Sequence, residues 1–451
     1  MQPFTLGERF PAGFRFGTAT SAAAVEGASA PDERGRHVWD TFAEVPGNIL
    51  DGSTPEVAAD HLNRYVEDLD LLGGLGAPSY RFSVSWPRVR PTGSGAINAA
   101  GLDFYDRLVD GLLERGIEPT VVLHHWDLPQ ALDDRGGWAD RDTIERFGEY
   151  AAVVGERLVD RVAHWIPIHE PMSVAILGYG IGQHAPGHKL VFDCLPVGHH
   201  LLTAHGRAAS VLRDLGATSV GCSNGHGPIW PASLRDADVA ASKLFDAILN
   251  GVALEGMLLG RYPSDLMPVI EEAIEPGDLD VVSAPLDFYG ISYYGAHRIG
   301  AAPPGADAPI ALLEISGRER TASGWAVVPE ALTDWMRVTT DRFGDALPPL
   351  VVTECGASYT YEPDAEGRIE DPKRIDYLRS HLGAVADAID LGVDVRGFFV
   401  WSLLDCWEWD DGFMTPYGLV HVDRATQART PKASYSWFAE VVAAHGRRVA
   451  G

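Results

Sequence analysis

The chain has 451 residues, 46% hydrophobic and 22% charged, proportions that suit a soluble globular protein and exclude a disordered chain or a coiled coil. Its 36 Lys and Arg against 63 Asp and Glu leave a net charge of −27, which would repel a phosphate backbone or an anionic membrane, so neither nucleic acid nor membrane is an expected partner. Three average domains would fit this length, but α/β barrels reach it as one, and no linker-like tract divides residues 1–451.

The N-terminus, MQPFTLGERFPAGFRFG, lacks the basic and apolar regions of a signal peptide, and no run of about 18 apolar residues spans a membrane. Short apolar runs then predict strands at 14–19, 79–84, 118–124, 163–169, 218–223, 287–292, 350–354 and 396–402. Helical spacing lies between them. Ala58, Leu62, Tyr65, Leu69 and Leu72 share one face, Leu102, Tyr105, Leu108 and Leu112 another, and residues 236–255 read as helix. The Pro/Gly/Ala-rich stretch 300–309 reads as a surface loop. Eight strands alternating with helices predict a single-domain α/β fold, the (β/α)₈ barrel, whose chemistry sits where the strands end.

Two predicted strands end in carboxylates, Glu170 and Glu354. An unpaired buried charge is costly, so the alternatives are an ion pair, with Arg81 as partner, or a catalytic pair. A carboxylate pair ringed by Trp and His suits glycoside hydrolysis, one group protonating the leaving oxygen and the other attacking carbon or activating water. An adjacent Arg would keep one of them ionised.

Several ordered motifs resemble glycoside hydrolase family 1, the β-glucosidase family, over nearly the whole chain. They are Gly17-Thr18-Ala19-Thr20-Ser21-Ala22 with Val25-Glu26-Gly27, Val38-Trp39-Asp40-Thr41-Phe42, Tyr80 to Arg88, His125-Trp126-Asp127-Leu128-Pro129-Gln130, Gly324-Trp325, Trp401 to Asp405, and Gly418 to Asp423. The resemblance implies a retaining mechanism without a cofactor, acting on a small or aryl β-glycoside. Glu354 matches the nucleophile, Glu170 the acid/base, and Arg81 and Tyr294 the pair that contacts the nucleophile. His125, with Trp126 beside it, Glu408 and Trp409 match the sugar-holding residues. Trp401 matches the platform under the ring, and Trp325 an aromatic at the aglycone entrance. A carboxylate at Glu408 would repel a 6-phosphate, so an unphosphorylated sugar is implied.

Five positions depart from the family pattern. Ala24 replaces a Gln that bridges sugar hydroxyls, and His169 replaces the Asn that reads the 2-hydroxyl. Ser292, Cys355 and Cys406 replace three further Asn. All five are expected near the pocket. Beside two glutamates the imidazolium form of His169 is expected to be favoured. Drift with an unchanged glucoside and a glycone altered at the face vacated by Ala24 both remain open. Cys194, Cys222, Cys355 and Cys406 form no CxxC, which argues against a disulfide scaffold or zinc site and for the cytoplasm. Whether Cys355 and Cys406 approach each other is open.

The GxGxxA letters at 180–185 follow no strand, so no dinucleotide site is expected. His199, His200 and His205 lack a carboxylate at ligand spacing, so no metal is expected. A transglycosylase using the same intermediate, and a weakly active or non-catalytic sugar-binding barrel, are the rivals. A homo-oligomer is left open.

Overall fold

The computed structural model describes residues 3–27 and 34–450. Met1 and Gln2 of the N-terminal stretch, residues 28–33 and Gly451 lie outside the described residues. Eight parallel strands form one sheet: β1 Arg15–Ala19, β2 Ser79–Ser83, β3 Glu118–His124, β4 His164–Ile168, β5 Asn224–Gly225, β6 Tyr289–Tyr293, β7 Leu350–Cys355 and β8 Val395–Trp401. Their order, β4-β3-β2-β1-β8-β7-β6-β5, is that of a barrel opened between β4 and β5. Parallel bridges Trp165↔Val220 and His169↔Ser223 close it, with Trp165 N–H donating to the Ser219 carbonyl at 3.0 Å and Glu170 N–H to that of Ser223 at 2.7 Å. The fold is the expected (β/α)₈ barrel.

Seven predicted strands match to within two residues at each end. The run 218–223 differs: its ladder to β6 starts only at Asn224. The Asp287 carboxylate takes the Val220 N–H at 2.8 Å, and the Phe288 ring occupies the space beside Gly221 where a Cβ would stand. Helix His61–Leu75 buries Leu69, Leu72 and Leu75. Ala58 lies outside it, because Ala58 and Asp60 adopt left-handed φ of 49° and 51° ahead of the first turn. Helix Ala99–Glu114 buries Tyr105, Leu108 and Leu112, and its N-terminus is capped by the Asn98 side chain. The stretch 236–255 is two helices, Asp236–Asp246 and Val252–Leu259, joined by a wide π-type turn at Ala247–Gly251.

The expected loop 300–309 also differs. Gly300 and Ala301 end the strand His297–Ala301, which pairs antiparallel with Ile310–Leu313 and parallel with Ile229–Pro231 in a small sheet outside the barrel. Beneath β1, helices Pro3–Gly7 and Ala433–Ala450 pack together, and the rings of Phe16 and Phe438 lie 6.1 Å apart. No helix among the described residues is long and apolar enough to cross a membrane. His199 bonds Tyr262 and Asp278, and His200 the Trp138 carbonyl, so both are structural partners within helix Cys194–Asp214.

Candidate active site

The carboxyl ends of the strands open on a cavity of about 730 Å³ that contains Glu170 and Glu354. Glu170 follows β4 with a left-handed φ of 49°, a backbone state that non-glycine residues keep mainly where the surroundings impose it. The Ser173 and Ser292 hydroxyls lie beside its carboxylate and favour its charged form. A Cβ on Gly225 would stand 3.0 Å from Glu170 Oε2, so a glycine there leaves the carboxylate its room. Glu354, near the end of β7, accepts from Arg81 Nη1 at 2.8 Å and from Tyr294 Oη at 2.6 Å. The ion pair with Arg81 is therefore present and buried, and it belongs to Glu354 alone.

The two carboxylates face one atom. His169 Nε2 lies 3.5 Å from Glu170 Oε1 and 3.5 Å from Glu354 Oε2. Those oxygens are thus no farther apart than twice that distance, a bound that includes the roughly 5–5.5 Å separation of a retaining pair. Burial, reinforced by Glu354, raises the Glu170 pKa to about 7. Burial raises that of Glu354 too, so Arg81 does not cancel the desolvation, contrary to the expectation that it would simply hold this carboxylate ionised. Arg81 and Tyr294 nonetheless oppose the rise at Glu354 by direct hydrogen bonds, so the proton shared by the pair rests on Glu170.

The expectation for His169 is overturned. Burial, then the neighbouring His125 and Arg81, push its pKa well below the ordinary imidazole value, and the ring is neutral. Arg81 Nη2 donates to Nδ1 at 2.5 Å. A guanidinium only donates, so Nδ1 carries the lone pair and Nε2 the hydrogen. Nε2–H therefore points between the two glutamates. Ser223 Oγ adds a contact to Nδ1 at 3.0 Å. Ser223 ends the predicted strand 218–223, and reading the residue at that strand's end would have found it.

The aromatic surround is built from β3, β8 and their following loops. The His125 and His169 rings lie 3.9 Å apart, His125 and Trp401 5.6 Å, and Trp126 and Trp409 4.6 Å. Trp126 Nε1 donates to the His169 carbonyl at 3.1 Å, and Trp401 Nε1 to Glu408 Oε1 at 2.9 Å. Burial raises the Glu408 pKa to about 8, against the hydrogen bonds from Cys406 and Trp401 that favour its charged form. No Lys or Arg occurs among the described residues that line the cavity, so a phosphate would find no counter-ion there. Trp325 stands at the entrance, 38% exposed.

Three departures lie behind the cavity wall rather than on it. Ala24 is fully buried and supports the 405–409 loop through its carbonyl, which accepts from Trp407 N–H at 3.0 Å. It touches no open space, so it vacates no face for an altered sugar, and its expected place among the binding residues is corrected. Cys406 donates to Glu408 Oε1 at 3.0 Å, and Cys355 Sγ contacts Tyr377 Oη at 3.6 Å. Both are free thiols with no exposed surface. Iodoacetamide at pH 7 is expected to leave activity intact, with peptide mass spectrometry finding Cys355 and Cys406 unmodified. Modification of either in folded, active enzyme would contradict this burial.

Among the described residues, one group holds metal-ligating atoms within 4.8 Å of each other: His125, His169 and Glu354. The Arg81 guanidinium already sits on both His169 Nδ1 and Glu354 Oε2, so a cation there would face a fixed positive charge.

An eight-stranded barrel with two buried carboxylates at its carboxyl mouth, one salt-bridged and one raised to about 7, is the architecture of a glycoside hydrolase. The chain belongs to glycosyl hydrolase family 1, whose profile matches residues 6–447. Beta-glucosidase A of Thermotoga maritima is 39% identical over 446 residues, covering 97% of this chain and 99% of the relative. The crystal structure of the psychrophilic beta-glucosidase BglU from Micrococcus antarcticus superposes with a TM-score of 0.94 at 41% identity, covering 99% of this chain and 100% of that one. The complex of virulence factor SghA from Agrobacterium tumefaciens with its substrate analog salicin matches with a TM-score of 0.94 at 37% identity, over 98% and 99% of the two chains.

Proposed function

We propose that this chain is a retaining β-glucosidase with Glu354 as nucleophile and Glu170 as acid/base. The observation that carries the assignment is the asymmetry of the pair. Arg81 and Tyr294 hydrogen-bond Glu354 and favour its charged form, while Glu170 has no directly bonded cation and rises to about 7. Glu354 attacks the anomeric carbon as Glu170 passes its proton to the departing aglycone oxygen, leaving a glycosyl ester on Glu354. Glu170, now a carboxylate, takes a proton from water, which attacks the same carbon and restores Glu354. Both steps need only side chains present here.

Around the sugar, the Nε2–H of His169 donates toward the 2-hydroxyl, Glu408 and His125 bind hydroxyls farther round the ring, and Trp401 lies beneath it. The β-glucosidase names of the relatives support glucose as the glycone and hydrolysis as the reaction. Four free, buried thiols suit a reducing compartment, and we place the enzyme in the cytoplasm. Initial rates on p-nitrophenyl β-glycosides (gluco, galacto, fuco, xylo), with Glu354→Gln as blank, test the reading. The glucoside or fucoside is expected to lead, and no release above the blank from any member would overturn it.

The pH profile follows from Glu170. On an alkyl glucoside, whose departing oxygen needs its proton, Glu170 acts in the first step only when protonated, so kcat/KM is expected to fall above pH about 7, tending to tenfold per unit. Glu170→Gln is expected to abolish this basic limb. If the limb persists unchanged in that variant, another group is responsible, and Glu408, at about 8, is the nearest alternative.

A further inference from the structure

We infer that Cys406 is a positioning residue for sugar recognition: its thiol fixes the Glu408 carboxyl so that Oε2 alone is offered to the ligand, which makes it a determinant of specificity at the hydroxyl that Glu408 holds. The inference rests on the β-glucosidase reading for the identity of the sugar but not for the bond between the two side chains. Cys406 lies in the loop after β8 that also carries Glu408, at a position where the family pattern has Asn. Its Sγ donates to Glu408 Oε1 at 3.0 Å, and Nε1 of Trp401, the last residue of β8, donates to the same oxygen at 2.9 Å. Among the described residues no hydrogen bond reaches Oε2, and Glu408 lines the cavity. With Glu408 ionised, Oε2 is therefore a free acceptor. With it protonated, two donors on Oε1 leave Oε2 as the oxygen that carries the hydrogen.

Burial and the adjacent Glu408 push the Cys406 pKa well above the usual thiol value, so the sulfur keeps its hydrogen and donates it. Its other neighbour, Ser402 Oγ at 3.5 Å, gives its own hydrogen to the Leu404 carbonyl at 2.6 Å. Cys406 has no exposed surface, so it cannot touch a sugar and acts only through the groups it bonds. A single donor would leave the carboxyl free to pivot about that contact. Two donors arriving on one oxygen from separate residues fix both its place and the oxygen it turns to the cavity. Without the thiol the carboxyl keeps Trp401 alone, and its two oxygens can exchange in that bond. The alignment with the sugar hydroxyl is then no longer set in advance, and binding must supply it.

The test uses the full-length enzyme with p-nitrophenyl β-glucoside and its 3-, 4- and 6-deoxy analogues. Each missing hydroxyl lowers kcat/KM in the parent, and Glu408→Ala identifies the position at which that penalty disappears. Cys406→Ala and Cys406→Val both remove the donor, the second keeping the volume of the side chain. Either is expected to lower kcat/KM on the full glucoside about three- to tenfold, the scale of one hydrogen bond, and to leave it within about twofold on the analogue lacking the hydroxyl that Glu408 holds. Cys406→Ser keeps a donor and is expected to recover most of the loss. An equal loss on every analogue would mark a residue that only supports the fold, and no loss would mark an idle thiol. Either result overturns the inference. The bond itself is read in the infrared, where the S–H stretch stands clear of other protein bands and falls in frequency on hydrogen bonding. A lowered band is expected in the parent, lost in Cys406→Ser and shifted upward in Glu408→Ala. A band indifferent to Glu408→Ala overturns the inference and leaves the glucosidase reading standing. A parent that cleaves no glucoside sinks that reading instead. The same pattern is then expected in the affinities of glucose and its deoxy analogues, titrated against tryptophan fluorescence, and its absence there overturns the inference too.

Discussion

Glu354→Gln is expected to lower kcat on p-nitrophenyl β-glucoside by about 10⁴-fold or more, the scale seen when a covalent nucleophile is removed from an otherwise intact site. Gln is nearly isosteric: its one oxygen can accept from Arg81 while its NH2 donates to the Tyr294 hydroxyl, so the pocket should hold its shape. It has no negative charge with which to attack. The second readout is covalent. A 2-deoxy-2-fluoro glucoside slows release of the intermediate, so the parent should gain one fluorosugar on the peptide containing Glu354. The variant should gain none. Labelling of a different carboxylate, or a variant retaining more than about a hundredth of the parent rate, would remove Glu354 from the nucleophile's role.

Glu170→Gln is expected to separate substrates by their leaving groups. An alkyl glucoside needs a proton on its departing oxygen, and kcat/KM should fall about 10²–10⁴-fold. Nitrophenolate leaves without help, so the first step on p-nitrophenyl glucoside should be much less affected. The second step also loses its base, so the intermediate should accumulate and nitrophenol release should show a burst of about one equivalent followed by a slow steady state. Equal losses on both substrates, without a burst, would show that Glu170 shapes the site without transferring the proton.

Both experiments probe a division of labour that depends on distances between groups far apart in the chain. Arg81 and Glu354 are separated by 273 positions and touch at 2.8 Å. Strand-end reasoning brings them to one mouth, because a carboxylate closing an apolar strand has no place in a core. It does not say which glutamate the arginine engages. His169 shows the same limit. Its neighbours in sequence suggest a cation beside an anion, yet the folded environment removes water and places Arg81 against Nδ1, so the ring is neutral. Ala24, Cys355 and Cys406 were legible as departures from a family pattern, but only packing reveals that they stand behind the wall. The apolar residues of the cavity wall left no motif at all. Ile176, Phe192, Phe245, Ile248 and Ile310 are ordinary apolar residues whose spacing follows no single period, because they come from separate segments.

Local patterning thus determined the barrel, the order of its strands along the chain and the residues that end them, because periodicity, buried charge and short motifs are properties of neighbouring positions. The tertiary structure alone decided which glutamate holds the proton, which tautomer His169 adopts and which departures lie behind the cavity wall. Each of these depends on desolvation and on contacts closed across the barrel. Desolvation is set by everything packed around a group, and that packing exists only once the ring of strands has closed.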